Sequence, residues 1–185
     1  MVRYDIDPTH TNIGFSAKHL GVATVRGRFD KFEGYFEGPA ENPTEARGEI
    51  KIEVASMTTH TAQRDDHLRS ADFFDAAKYP YVTYRITGIE NVEADRYLVR
   101  GELTIKDVTK PVALEATLDG RGPDPFGAPG QERMGIVATG QINRMEFGLN
   151  WDGIAGAVPI ASHNIKLNIE AEIVVKAAEP VDSNV

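Results

Sequence analysis

The 185 residues suit a single domain, and 41% hydrophobic with 26% charged residues is the make-up of an ordinary globular chain rather than a disordered one. A formal net charge of −8 argues against nucleic acid as a partner and against adsorption to anionic membranes, both of which are gripped by concentrated lysine and arginine. With no cysteine, the chain excludes disulfides, iron–sulfur clusters, thiolate zinc sites and cysteine nucleophiles.

The chain opens at Met1-Val2-Arg3-Tyr4-Asp5 with no apolar leader, which makes the cytoplasm the expected location. No run of about 18 apolar residues follows, so no membrane-spanning helix is expected. Residues 2–6 predict a short edge strand. Residues 11–20 alternate with period two, placing Ile13, Phe15, Ala17 and His19 on one face. Residues 23–37 predict the next strand, with Val25 and Phe29 on its apolar face. Its glycines, among them Gly27 and Gly34, fit bulges and barrel corners better than a phosphate cradle. Residues 47–57 carry Ile50, Ile52 and Val54 on one side. Residues 61–70 break the alternation and predict a short polar helix. Phe73 and Phe74 follow it and should dock this connection against the rest.

Strands are then predicted at 81–91, with Val82 and Tyr84 inward, and at 96–106, with Val99 and Leu103 opposite Arg100 and Glu102. A short turn at Glu93-Ala94-Asp95 joins them. Residues 109–121 carry Leu114 and follow a turn at Asp107-Val108-Thr109. A Pro/Gly-rich loop from Gly122 to Gly130 leads to a strand at 132–142 bearing Ile136 and Ala138. Residues 143–150 predict one helical turn. The last strand, 162–176, sets Ile165, Leu167 and Ile169 against Lys166, Asn168 and Glu170. Residues 1–177 therefore read as one domain, and the polar 178–185 as a disordered tail.

Long strands with one apolar face need that face covered, and only closure also removes the sheet edges. The alternation leaves two all-β architectures, an antiparallel barrel of about eight strands or a two-sheet sandwich, and the removal of sheet edges favours the barrel. Eight such strands enclose a space filled by side chains or by one ligand. The inward face then consists of Phe15, Val25, Phe29, Ile52, Val54, Val82, Tyr84, Val99, Leu103, Leu114, Ile136, Ala138, Ile165, Leu167 and Ile169. His19 reads as a hydrogen-bonded core residue or a polar group of the pocket. Phe73 and Phe74 are expected to cap one channel end and act as its gate.

No Walker loop, dinucleotide fingerprint, zinc-protease helix or nucleophile elbow is present. His60 and His67 are seven apart, about 10 Å along a helix, too far for one ion. Arg64, Asp65, Asp66 and His67 read as a solvated helix face with an Asp66–Arg69 pair, or as acid–base groups if they line a pocket.

Several blocks carry a family resemblance. Asp65-Asp66-His67-Leu68-Arg69-Ser70-Ala71-Asp72-Phe73-Phe74-Asp75, followed by Tyr79-Pro80, is similar to the signature of the YceI-like family of polyisoprenoid-binding proteins. The opening Tyr4-Asp5-Ile6-Asp7-Pro8-Thr9-His10-Thr11-Asn12-Ile13-Gly14-Phe15 resembles that family's start. So do Lys18-His19, the block Gly27 to Gly34, the hairpin Gly101 to Val112, and Asn143 to Leu149, all in order. Tyr4 stands where the family often has tryptophan, and Lys106-Asp107 replaces a commoner small or histidine-containing turn. The resemblance implies an all-β fold, an eight-stranded, extended antiparallel β-barrel of lipocalin-like shape with an elongated apolar channel, a role in binding long isoprenoid or related lipids, and no catalytic residues. Many members are periplasmic.

The expected function is therefore non-catalytic binding, storage or transport of a long amphiphile such as a polyisoprenoid or isoprenoid quinone, with no cofactor and no metal. Exposed aromatic edges allow a homodimer. Two alternatives stay open: a small hydrolase or isomerase using His19 or the Asp65/Asp66/His67 cluster, and a stress-related interaction protein whose core is filled by its own side chains.

Overall fold

The computed structural model describes residues 1–39 and 42–176; the expected tail at 178–185 lies outside the described residues. Thirteen strands are present among them. In chain order they are β1 (Val2–Ile6), β2 (Asn12–His19), β3 (Ala23–Phe29), β4 (Phe32–Gly38), β5 (Arg47–Glu53), β6 (Met57–Thr58) and β7 (Tyr81–Glu93). Then follow β8 (Arg96–Ile105), β9 (Val108–Pro123), β10 (Glu132–Asn143), β11 (Ile154–Ala155), β12 (Val158–Pro159) and β13 (Asn164–Lys176). The helix α1 covers Ala62–Arg69, inside the predicted 61–70, and a 3-10 turn at Arg144–Phe147 occupies the predicted 143–150.

All pairings are antiparallel, and the sheet closes. The order β1-β4-β5-β7-β8-β9-β10-β13 returns from β13 to β1, with Ile6 opposite Ile173 and Tyr4 opposite Val175. Three walls are composite. β2 continues the wall of β1 and pairs with β13 lower down, Phe15 opposite Leu167. β3 continues β4 after an interruption at Asp30-Lys31, and β6 continues β5 after a 3-10 turn at Val54–Ser56. β3 meets β2 on one side and β6 on the other, so the closure holds at both levels.

Two expectations need correcting. Residues 2–6 are not an edge: β1 is paired with β4 on one side and β13 on the other. The predicted strands 23–37 and 47–57 are each broken. At these breaks Asp30 donates its N–H to the Ser56 carbonyl at 3.2 Å, and Glu53 donates to the Lys31 carbonyl at 3.0 Å. The interrupted walls thus remain hydrogen-bonded to each other, as buried backbone groups must.

Antiparallel order sends the β4–β5, β7–β8 and β9–β10 connections and the start of β1 to one end of the barrel. The β2–β3 turn, the helical connection 54–80, the β8–β9 turn and the segment 144–163 lie at the other end. Val54, Met57, Phe73, Phe147 and Leu149 are buried at this second end, which is the more solid of the two. Among the described residues no helix is long and apolar enough to cross a membrane.

Candidate functional site

The inner faces of the strands enclose an apolar cavity of about 620 Å³, within the range of small-molecule sites, roughly 300–1,000 Å³. Its lining extends along β13 from Ile165 to Val175, about 33 Å of strand and about 25 Å along the axis of a barrel whose strands tilt by roughly 40°. It is therefore a channel rather than a pocket, and the core is not filled by the protein's own side chains. Period-two alternation explains the lining. Phe15, Val25, Phe29, Ile52, Val82 and Tyr84 all face it. So do Val99, Leu103, Leu114, Ile136, Ala138, Ile165, Leu167 and Ile169. Arg100, Glu102 and Lys166 lie on the outer wall, where Arg100 pairs with Glu90 and Glu102 with Arg85.

Two predicted members do not line the channel. Val54 would follow Ile50 and Ile52 inward, but β5 ends at Glu53 and the chain turns; Val54 is sealed in the core at 1% exposure. His19 is exposed. It stands at the end of β2, where positive φ angles at Leu20 (52°) and Gly21 (71°) turn the chain away from the channel. The strand face is the same as that of Phe15 and Ala17, but the barrel has ended.

One channel end is plugged. Asp65 of α1 is buried and accepts hydrogen bonds from the Thr59 N–H at 2.8 Å and the Thr58 hydroxyl at 3.2 Å, tying the helix to β6. Burial alone would raise its pKa, but the bonds from Thr59 and Thr58 outweigh this and hold the carboxyl below the usual range. Phe73 packs beneath the helix against Trp151, with ring centroids 5.4 Å apart, and edge-on to His67 at 5.2 Å. Phe74 meets Phe29 edge-on at 6.3 Å and faces the channel. Beside them Arg144 is only 3% exposed. Its guanidinium donates to the carbonyls of Leu149 (2.6 Å), Trp151 (2.7 Å), Ser162 (3.0 Å) and Ala161 (3.1 Å), and to Asp152 at 3.2 Å. Burial pulls its pKa below arginine's ordinary value, and Asp152 opposes this. Arg144 thereby holds the segment 144–163 over the channel end.

The other end reaches solvent. Among the described lining residues, Thr117, Arg121 and Gly130 are the exposed ones, and all three belong to the β9–β10 hairpin and its loop. The ring of Tyr4 lies here, stacked on Phe36 with centroids 4.6 Å apart. Burial raises the Tyr4 pKa, lowered in part by Arg121 and raised by Glu132. Arg121 and Glu132 pair with each other at 2.7 Å. This corrects the expected gate: Phe73 and Phe74 close the end opposite to the opening.

The YceI-like domain model matches residues 4–173, nearly the whole barrel. The chain belongs to the YceI-like family. The protein YceI of Escherichia coli O157:H7 is 38% identical over 150 residues, which is 81% of this chain and 76% of the relative. Among solved structures, BcnA of Burkholderia cenocepacia superposes with a TM-score of 0.78 at 21% identity, covering 94% of this chain and 100% of that one. A polyisoprenoid binding domain from Saccharophagus degradans gives 0.65 at 15% identity, over 95% and 98% of the two chains.

Within this YceI-like barrel the charged cluster at 64–67 does not converge on the channel. Asp65 turns away into β6, Asp66 pairs with Arg69 at 3.3 Å as expected, and His67 bonds Asp72 at 2.8 Å. The reading of this stretch as a wholly solvated face is corrected at Asp65. Arg64 does reach the lining, but its guanidinium is bonded to Thr59 and Thr61. Asp7, His10 and Glu172 bring possible ligand atoms within 4.8 Å of one another. Arg133 is bonded to both carboxylates, at 2.8 Å for Asp7, so a guanidinium already occupies the place a cation would need. The Thr9 hydroxyl bond, with Arg133 and His10 adding to it against the opposing effect of burial, keeps Asp7 well below the carboxylate range.

Sequence reasoning missed Arg144, Tyr4, Arg121 and Glu132 as members of the site. Arg144 lies in the resembling block Asn143 to Leu149, which was the only available signal. Tyr4 opens the resembling block Tyr4 to Phe15 and sits mid-strand in β1; Arg121 and Glu132 lie near strand ends, where side chains close a rim rather than a wall.

Proposed function

We propose that the protein binds a long isoprenoid or similar single-chain amphiphile, tail inward, and carries it without changing it covalently. The observation that carries this reading is a continuous apolar channel whose exposed lining lies at one rim. The description of the Saccharophagus degradans neighbour as a polyisoprenoid binding domain supports it. Each buried methylene contributes about 0.8 kcal/mol. A tail of about twenty carbons gives roughly 16 kcal/mol gross, against an association cost of about 4–15 kcal/mol. Useful affinity therefore needs no charged anchor.

The rim favours a neutral polar head. Arg121 is neutralised by Glu132, and the Tyr4 phenol is a neutral group with a proton to donate. A quinone carbonyl or an alcohol suits this set. A diphosphate would want an unpaired arginine or lysine cluster. Lys18, Arg26, Arg28, Arg85 and Arg100 are all exposed on the outer wall, and Arg28 is paired with Asp30 at 2.8 Å.

Native mass spectrometry of gently purified protein, with extraction of what it holds, tests the reading; a long-chain lipid mass is expected. Melting curves with geranylgeraniol and with its diphosphate test the head. Saturation near 100 times Kd adds about 2.7 kcal/mol, a rise of roughly 5–11 °C for a chain of this size. Tighter binding of the diphosphate by tenfold would overturn the neutral-head reading.

A further inference from the structure

The open rim carries a second feature that holding a lipid does not require. The loop between β9 and β10 presents Phe126 to solvent at 93% exposure. This is not a frayed end. Asp124, whose side chain is 1% exposed, accepts from the Phe126 N–H at 3.0 Å, from Gln131 at 2.7 Å and from Arg133 at 2.9 Å. The backbone closes the same loop, with Asp124 donating to Gln131 and Gln131 to Ala128, each at 2.9 Å. A buried carboxylate thus holds an exposed aromatic ring outward.

The tip, Pro125-Phe126-Gly127-Ala128-Pro129-Gly130, contains no charged side chain. Its backbone is also poor in donors that water must satisfy. Pro125 and Pro129 have no N–H, and those of Phe126 and Gly127 are bonded to Asp124. Only Ala128 and Gly130 bring N–H groups that need other partners; apart from that of Ala128, which accepts from Gln131, the tip carbonyls still need water, so the tip suits the hydrated headgroup layer rather than the hydrocarbon core. Gly130 lines the channel, so the same loop is both rim and protrusion. Val92, 59% exposed, stands near the β7–β8 turn of this same barrel end.

We propose that this end of the barrel docks on a lipid bilayer, with Phe126 inserted among the headgroups and Val92 as a second contact, so that the channel opens into the membrane. The inference rests on the reading of the channel as a lipid site. A water-insoluble ligand would then move from bilayer to channel without crossing water. The net charge of −8 favours a bilayer of neutral lipids, held by apolar insertion rather than by basic residues. The opposite end also exposes apolar side chains, Val22 at 80% and Ile154 at 62%, but among the described residues no channel-lining one is exposed there. That end serves as the control.

The test uses the full chain, Phe126→Ser and Val22→Ser with phosphatidylcholine vesicles. Flotation measures docking, and transfer of anthraniloyl-labelled geranylgeraniol from the vesicles measures delivery. Direct titration with farnesol, without vesicles, measures the channel itself. Phe126→Ser should lower flotation and transfer by about tenfold to a hundredfold, the worth of one buried phenylalanine ring, with farnesol affinity unchanged. Val22→Ser should behave as wild type in all three. Transfer and flotation that do not depend on Phe126, or that fall equally with Val22→Ser, would overturn the docking alone. Absence of farnesol binding by the wild type would overturn the channel reading beneath it.

Discussion

Two glycines show how single residues shape the channel. The ring of Phe15 lies across Gly27, and that of Tyr84 across Gly101; a Cβ at either glycine would overlap the ring. These glycines are gaps in the wall that aromatic rings fill, rather than the bulges that the sequence alone suggests for Gly27. The Tyr84 hydroxyl shares its proton between the carbonyls of Val112 (2.9 Å) and Val99 (3.1 Å). Burial pushes its pKa up. Gly101→Ala should drive the ring off both carbonyls and lower stability by about 1–3 kcal/mol in urea melts. Tyr84→Phe should cost about 0.5–1.5 kcal/mol, since the ring keeps its place. Arg144 is the larger lever. Arg144→Met removes a buried guanidinium from four carbonyls and one carboxylate and should cost about 3–5 kcal/mol. Arg144→Lys should recover only part of this, because an ammonium has three donors and no planar fork. Denaturation midpoints of the three proteins decide the point.

Among the elements, the helical connection and the segment 144–163 close the channel together, and their two phenylalanines play different parts. Phe73 is 5% exposed and packed against Trp151. Phe73→Ala should therefore cost about 3–5 kcal/mol. The Phe74 ring faces empty channel on one side, so Phe74→Ala should cost less and lengthen the cavity at its closed end. The expected readout is tighter binding of longer prenols relative to geranylgeraniol; an unchanged length preference with a large loss of stability would make Phe74 a plain core residue. The strands and this helix were legible in the sequence because alternation and its interruption are local signals, as in Ile165-Lys166-Leu167-Asn168-Ile169. The failures fall where a tertiary bond overrides the period. Val54 follows a correct pattern into a turn held by the Pro80 carbonyl at 2.9 Å. His19 sits in phase but past the end of the barrel. Asp65 reads as surface because the threonines that bury it are six and seven residues away. The β9–β10 hairpin brings Arg121 beside Glu132, and only closure of the sheet between β13 and β1 brings Tyr4 to the same rim.

For the molecule as a whole, Asp5, Asp7, Asp65, Glu90 and Asp124 are the described carboxylates held below their ordinary range, and Asp7, Asp65 and Asp124, the least exposed of them, weigh most in acid. Asp7, Asp65 and Asp124 all have pKa values below the ordinary range: Asp7 first through the Thr9 hydroxyl, Asp124 first through the Phe126 N–H, and Asp65 through the bonds from Thr59 and Thr58 that outweigh its burial. A carboxylate depressed on folding adds stability in full above its unfolded pKa, near 3.9, and loses it as pH falls through the folded value. Melting temperature should therefore be flat from pH 7 to pH 5 and drop below about pH 4. Asp65→Asn should lower stability at pH 7 by about 1–3 kcal/mol and make the acid side of the curve shallower; a variant as steep as wild type would remove Asp65 from this account. The barrel is also mechanically uneven. Five courses, β7 to β10 and β13, run 10 to 16 residues each, whereas the three neighbouring courses break at residues 7–11, 30–31 and 54–56. The breaks are adjacent, so they form a seam across one flank. A wall with a stiff flank and a seamed flank yields on one side when guests of different girth enter. Amide hydrogens along the seam should exchange faster than those of β10 and β13 in the empty barrel, and slow most when the channel is filled.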